Sequence, residues 1–223
     1  MMNAVLTLKD ISFSYEDINV LENINLSIKK GDFIGMMGAN GAGKSTLLKL
    51  ILGMLSPKQG EIEILGEPVK QFNKWNKVGY LSQQVLKRNQ QFPATCKEIV
   101  EANLFSQIGF LRFPKPMHHQ KARKALEAVG MADYENHLIY ELSGGQQQRV
   151  MLAHVLVSEP EIIILDEPTT GVDQEAIISF YELLKKLNED NQMTILMVTH
   201  EIEKSLAYIN RQICLQERQI VEA

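Results

Sequence analysis

The chain has 223 residues, 45 % of them hydrophobic, and a formal net charge of -4 from 23 basic and 27 acidic side chains. That composition supports a packed core of one domain, or one domain with a lobe, and excludes a disordered chain. With no dense Lys/Arg block, it also argues against a nucleic-acid or anionic-lipid surface as the main partner and leaves room only for a local groove.

Cys96 and Cys214 stand far apart in no metal spacing, which fits free thiols in a reducing compartment. No secretory signal is visible at the start, and no apolar run approaches the roughly 18 residues of a membrane span. The expectation is a cytosolic protein, or one held at a membrane through a partner.

In chain order, strand-like alternation comes first, in "AVLTLKDISFSY", "NINLSIKKGDFIGMMG" and "GEIEILG". Gly31-Asp32 reads as a hairpin turn, so this third is predicted to be mostly antiparallel sheet. It is interrupted from Lys44 to Leu55, where Leu47, Leu48, Ile51, Leu52 and Leu55 recur at helical spacing. From about Gln84 to Leu156 the pattern is helical. Thr95 and Glu98 have capping-box spacing, and a helix from Met117 to Val129 is stopped by Gly130. The nearly all-apolar runs "IIIL" (162–165) and "TILMV" (194–198) flank an amphipathic helix after Asp173, which predicts buried parallel strands.

The chemistry concentrates in a few motifs. Gly38, Ala39, Asn40, Gly41, Ala42, Gly43, Lys44 and Ser45 satisfy G-x-x-x-x-G-K-[ST] between a strand and a helix. The glycines let backbone amides close around phosphates, Lys44 supplies positive charge, and the Ser45 hydroxyl reaches Mg²⁺. Asp166 and Glu167 close the strand Ile162–Leu165, where ligands of open α/β sheets gather. Asp166 would hold the metal through water, and Glu167 would polarise an attacking water. Alone, adjacent acids after a strand also suit a solvated turn.

His200 follows "TILMVT" in the same manner and could bond a γ-phosphate or simply cap the strand. Gln83 closes "VGYLSQ" and reads either as a γ-phosphate sensor, bonding metal and water, or as a polar loop residue. Tyr15 could stack on a flat base or merely pack. The Ser-Gly-Gly run in "ELSGGQQQR" feeds a helix start, where unpaired amides favour an anion. His118, His119, His137 and His154 show no metal-ligand pattern and read as structural or surface residues. Met36, Met37, Met151, Met193 and Met197 read as core filler.

Taken in order, "GANGAGKST", "YLSQ", "LSGGQQQR", "IIILDEP", "TTGVD" and "VTH" resemble the ATP-binding subunit of the ABC transporter family across essentially the whole chain. The resemblance implies an α/β fold: a P-loop NTPase core of mixed sheet flanked by helices, with an N-terminal antiparallel β subdomain and an inserted α-helical subdomain. The implied core covers about 1–83 and 157–223, and the helical subdomain about 84–156.

It further implies ATP and Mg²⁺ as ligands, with nucleotide on Tyr15 and Gly38 to Thr46, metal on Ser45, Gln83 and Asp166, and catalysis by Glu167, His200 and Gln83. In that family two copies lie head to tail. Leu142, Ser143, Gly144, Gly145 and Gln146 of one copy then face the triphosphate held by the other, so one domain carries two half-sites. Asp173 would lie at the subunit contact, although Gly171-Val172-Asp173 departs from the commoner Ala-Leu-Asp type.

Short stretches, "QQFPATCKEIV", "EPTTGVD" and "ICL", are similar to bacterial zinc- and manganese-type metal importers, while His154 stands where many relatives carry Arg. The implied protein is a homodimeric ATPase, peripheral on the cytoplasmic side of a bacterial membrane, that drives an integral permease. An extracellular metal-binding protein would be an indirect partner, and no C-terminal regulatory domain is expected after His200. The competing readings are an ABC ATPase for another cargo, a soluble non-transport ABC ATPase, and a nucleotide-gated module without hydrolysis, against which Glu167 argues.

Overall fold

The computed structural model describes residues 4–83, 93–109, 112–200 and 202–222. They form two compact units, Met1–Trp75 with Leu187–Ala223, and Asn76–Lys186. The predicted start of the helical segment at Gln84, and Gln90 to Phe92 of "QQFPATCKEIV", lie outside the described residues.

The chain begins with β1 (Ala4–Tyr15) and β2 (Ile18–Lys29), an antiparallel pair. On β2 the residues Ile24, Leu26 and Ile28 are buried and their neighbours exposed, the alternation of a sheet with one wet face. After the turn at Gly31 (φ 81°) comes β3 (Phe33–Met37), then α1 (Lys44–Ile51), β4 (Gln59–Ile64) and β5 (Glu67–Pro68). The antiparallel sheet runs β2-β1-β4-β5. Helix α1 stops at Ile51, short of the predicted Leu55, because Gly53 (φ 68°) takes a left-handed conformation that breaks the helix.

In the second unit, β6 (Val78–Leu81) precedes the helices α2 (Cys96–Ala102), α3 (Phe105–Ile108), α4 (Pro116–Ala128) and α5 (Gly144–Leu156). The predicted capping box is present: Thr95 Oγ1 accepts from the Glu98 amide at 3.2 Å, and the Thr95 amide donates to Glu98 Oε2 at 2.8 Å. Helix α4 opens with Pro at its first position and closes before Gly130 (φ 71°). Burial pushes the Cys96 thiol up to about 11, so it is inert at neutral pH.

Three of the four histidines read as structural or surface residues make structural bonds. His118 Nδ1 accepts from the Lys115 amide at 2.9 Å, His119 pairs with buried Glu101, and the His154 ring bonds the Ile99 carbonyl at 2.7 Å. Strand β7 (Ile162–Asp166) runs parallel to β6, and α6 (Gln174–Asn191) follows.

The first unit resumes with β8 (Thr194–Val198), α7 (Ile202–Ser205), β9 (Arg211–Gln216) and β10 (Gln219–Glu222). Here one sequence expectation is corrected. Gly31-Asp32 is no hairpin turn: β3 pairs in parallel with β8 and β9, not with β2. The reason lies in β3 itself, whose five residues are all buried. An apolar side chain is worth about 1.5–3 kcal/mol when removed from water. Added to a sheet with one wet face, β3 would leave alternate side chains in solvent.

Candidate functional site

The first unit supplies a glycine loop between β3 and α1. Gly38 (φ 153°) passes so near β9 that a Cβ there would stand 2.5 Å from the Leu215 carbonyl oxygen. Gly43, the N-cap of α1, takes φ 104° and makes no side-chain cap bond. The amides of the first helical turn therefore lack a capping oxygen and point into the loop, an anion-binding arrangement. Lys44 is buried, its ammonium donating to the Gly38 carbonyl at 2.7 Å and the Ala39 carbonyl at 3.0 Å. A cation held by the loop's own carbonyls is poised to turn onto a phosphate. Ser45 and Thr46 follow it, Ser45 exposed.

Gly38 to Ala42 form one wall of a cleft of about 620 Å³, faced by Ile18, Asn19 and Val20 and by the end of β9 from Cys214 with the β9–β10 turn at Glu217 and Arg218. Thr199 and His200 line an adjoining cleft with Gly38 and Ala39, and the Thr199 amide donates to Met36 O at 3.2 Å. Tyr15 is exposed at the end of β1, edge-on to Phe13 at 4.9 Å, and is outside both sets of lining residues.

In the second unit the parallel register runs from Val78↔Ile162 to Leu81↔Leu165. Continued two residues, it sets Gln83 beside Glu167, and Gln83 Nε2 donates to Glu167 Oε2 at 2.7 Å. Glu167 has left-handed backbone, φ 49°. Three residues back, on β6, the Tyr80 hydroxyl donates to Asp166 Oδ2 at 3.4 Å. Burial, and then the Asp166 charge and hydrogen bond, push the Tyr80 phenol up to about 12, so it stays a donor toward that carboxylate. The arrangement holds two carboxylates and an amide at adjacent strand ends, suited to binding a hard cation and polarising water.

The Ser-Gly-Gly run opens α5. Ser143 Oγ accepts from the Gln146 amide at 3.3 Å while Gln146 Oε1 accepts from the Ser143 amide at 3.0 Å, a complete capping box. Leu142 is buried beneath it. The two glycines differ. A Cβ on Gly145 would meet Ala176 Cβ at 2.7 Å, so that glycine is needed for packing against α6. A Cβ on Gly144 would meet nothing within 4 Å, so the described residues give no reason for a glycine there. Asp173 Oδ1 accepts from the Ala176 amide at 3.0 Å and caps α6.

Residues 21–170 match the family described as ABC transporter. The chain belongs to the ABC transporter family. Among its relatives, the zinc uptake system ATP-binding protein ZurA of Listeria innocua is 44 % identical over 221 residues, 99 % of this chain and 86 % of that one. The manganese transport system ATP-binding protein MntB of Bacillus subtilis is 37 % identical over 213 residues, 96 % of this chain and 84 % of that one. A solved dimeric structure of the ATP-binding cassette MJ0796, in a post-hydrolysis state bound to ADP and Pi, superposes with TM-score 0.78 at 31 % identity, covering 98 % and 97 % of the two chains. This ABC transporter chain shares that α/β fold.

Two features of the ABC transporter chain escaped the sequence reading. The β9–β10 turn, Glu217 (φ 49°) and Arg218 (φ 66°), walls the cleft without the Gly or Asn that announces such a turn. Gln148 is wholly buried although it lies in the polar run "GQQQR". Its one signal is helical spacing, since Met151, Leu152 and Val155 follow it at three, four and seven residues. Among the described residues no helix is long and apolar enough to cross a membrane, and no cluster of three or more His, Cys, Asp or Glu side chains is placed to hold a metal ion.

Proposed function

We propose that the chain is the ATP-hydrolysing subunit of a metal importer: it binds and hydrolyses ATP and so drives a separate membrane permease that takes up a divalent metal such as zinc or manganese. The observation that carries the ATPase reading is the glycine loop with Lys44 parked on the Gly38 and Ala39 carbonyls. The cargo rests on the zinc and manganese relatives, similar to this chain over nearly its full length. The net charge of -4 disfavours a soluble nucleic-acid-directed relative.

The residues present fit ATP, because a Cβ at Gly38 would close the loop against Leu215 and the α1 amides carry no side-chain cap. In this reading the loop amides and Lys44 hold the β- and γ-phosphates, and Tyr15, with Ile18 to Val20, meets the base. In the same reading Mg²⁺ would be held by Ser45, Asp166 and Gln83, whose oxygen donors are of the hard kind suited to an ion that keeps several waters. When bound it would neutralise charge on the β- and γ-oxygens. Glu167 takes a proton from the attacking water, and His200 donates a hydrogen bond to the γ-phosphate.

Gly144 supports the two-copy arrangement. An exposed glycine with open space around it suits close approach by something outside the chain, here the triphosphate held by a second copy. ATP then bridges the loop of one copy and the signature of the other, residues Leu142 to Gln146, whereas ADP leaves the signature unsatisfied, so nucleotide state biases dimer closure. The assembly would sit on the cytoplasmic face of the membrane, with an extracellular metal-binding protein as an indirect partner.

The test is metal uptake by bacteria lacking the chain, complemented with wild type or Glu167→Gln. The proposal expects zinc or manganese accumulation to return with wild type alone. Normal accumulation of both metals in the deletion strain would refute the cargo, and restoration by Glu167→Gln would refute the ATP-driven mechanism.

A further inference from the structure

Gln148 is the one buried amide on α5, and its two polar atoms are treated differently. Nε2 donates to the Pro168 carbonyl, while Oε1 is buried with no hydrogen-bond partner among the described protein groups. The orientation is fixed, because a carbonyl only accepts and the amide must present its nitrogen. A methionine would fill the same space without burying an orphan acceptor. The amide is thus poorly explained by packing and well explained by what it holds.

What it holds is the carbonyl of Pro168, the residue that follows Glu167. Glu167 has φ 49°, a left-handed conformation that a non-glycine residue keeps only when its surroundings enforce it. Gln83 fixes the Glu167 carboxylate from one side at 2.7 Å, and Gln148 fixes the following carbonyl from another. Gln148 also stands one helical turn from Gly144, about 6 Å along the axis of α5. Arg149 braces the same helix, donating to Val129 O at 3.0 Å and to Ser179 Oγ.

We infer that Gln148 is a positioning residue: through the Pro168 carbonyl it sets the Glu167 turn, linking the signature end of α5 to the catalytic base of the same chain. The inference rests on the reading of Glu167 as that base. In a head-to-tail pair, one copy's signature and base serve opposite nucleotides, so each α5 would report the engagement of one site to the base of the other.

The experiment compares Gln148→Met, Gln148→Asn and, as a packing control, Leu152→Ala on the same helix, measuring kcat, KM, ATP affinity and Tm of the full chain. Both Gln148 variants are expected to lose about tenfold or more in kcat, as a misplaced catalytic group does, while ATP affinity stays within about twofold. Leu152→Ala is expected to lower Tm while the folded protein keeps its kcat. Wild-type kcat in either Gln148 variant, or parallel loss of kcat in Leu152→Ala, overturns the inference. Glu167→Gln separates the two layers: if it hydrolyses ATP normally, the base assignment fails. If it is inactive while Gln148→Met is not, only the inference about Gln148 fails.

Discussion

Gln83 Nε2 donates to Glu167 Oε2 at 2.7 Å, a bond that follows from the parallel register of β6 and β7. The amide orients the carboxylate, and in the proposed reading it would also serve metal and water once nucleotide is bound. Gln83→Ala is expected to lower kcat by about tenfold or more through loss of positioning and to leave KM for ATP nearly unchanged. Steady-state kinetics check this, and a selective rise in KM would point to a binding role alone.

Lys44 is buried and hydrogen-bonded to two carbonyls of its own loop, those of Gly38 and Ala39. Lys44→Ala removes a charged donor worth about 1.5–3 kcal/mol, which converts to roughly ten- to hundredfold weaker ATP binding. Titration with a fluorescent ATP analogue measures it directly.

The signature glycines should respond oppositely to one added methyl group. Gly145→Ala drives a Cβ against Ala176 and is expected to cost about 1–3 kcal/mol of stability by overpacking. Gly144→Ala meets open space, so the melting temperature should hold while ATP-dependent dimerisation and turnover fall. Melting curves paired with ATPase rates distinguish the two, and an unimpaired Gly144→Ala enzyme would argue against contact from a second copy.

Burial pushes His154 below the ordinary imidazole value of 6.5, only partly offset by its bond to the Ile99 carbonyl. As pH falls through that value the unfolded chain takes up a proton that the folded chain resists, so this residue makes folding less stable toward acid. Its contribution is harmless above the unfolded pKa and grows as pH drops toward the lowered folded one. His154→Asn, which cannot titrate, should flatten the decline of the urea midpoint between about pH 7 and pH 5.

Legibility tracked how locally each feature is encoded. Ile162–Leu165 and Thr194–Val198 were readable as strands because a strand buried on both faces is apolar throughout. The start of α2 was readable because Thr95 and Glu98 satisfy each other within four residues. The partner of β3 was not, since Gly31-Asp32 serves any turn and only the burial of all five β3 residues sends it away from β2. Of the site, the glycine loop and the Asp166-Glu167 pair are written in contiguous residues. Gln148 and Arg218 act through contacts distant in sequence; Gln148 is marked only by its helical spacing, and Arg218 carries no local mark of its place.

The central claim is that the triphosphate pocket is completed by two copies of the chain, and it is tested most directly by sizing Glu167→Gln on gel filtration with and without MgATP. The predicted result is a monomer without nucleotide and an ATP-retaining dimer with it, together with turnover reduced by about two to three orders of magnitude. A variant that stays monomeric with MgATP and hydrolyses at the wild-type rate would contradict both the composite pocket and the role of Glu167.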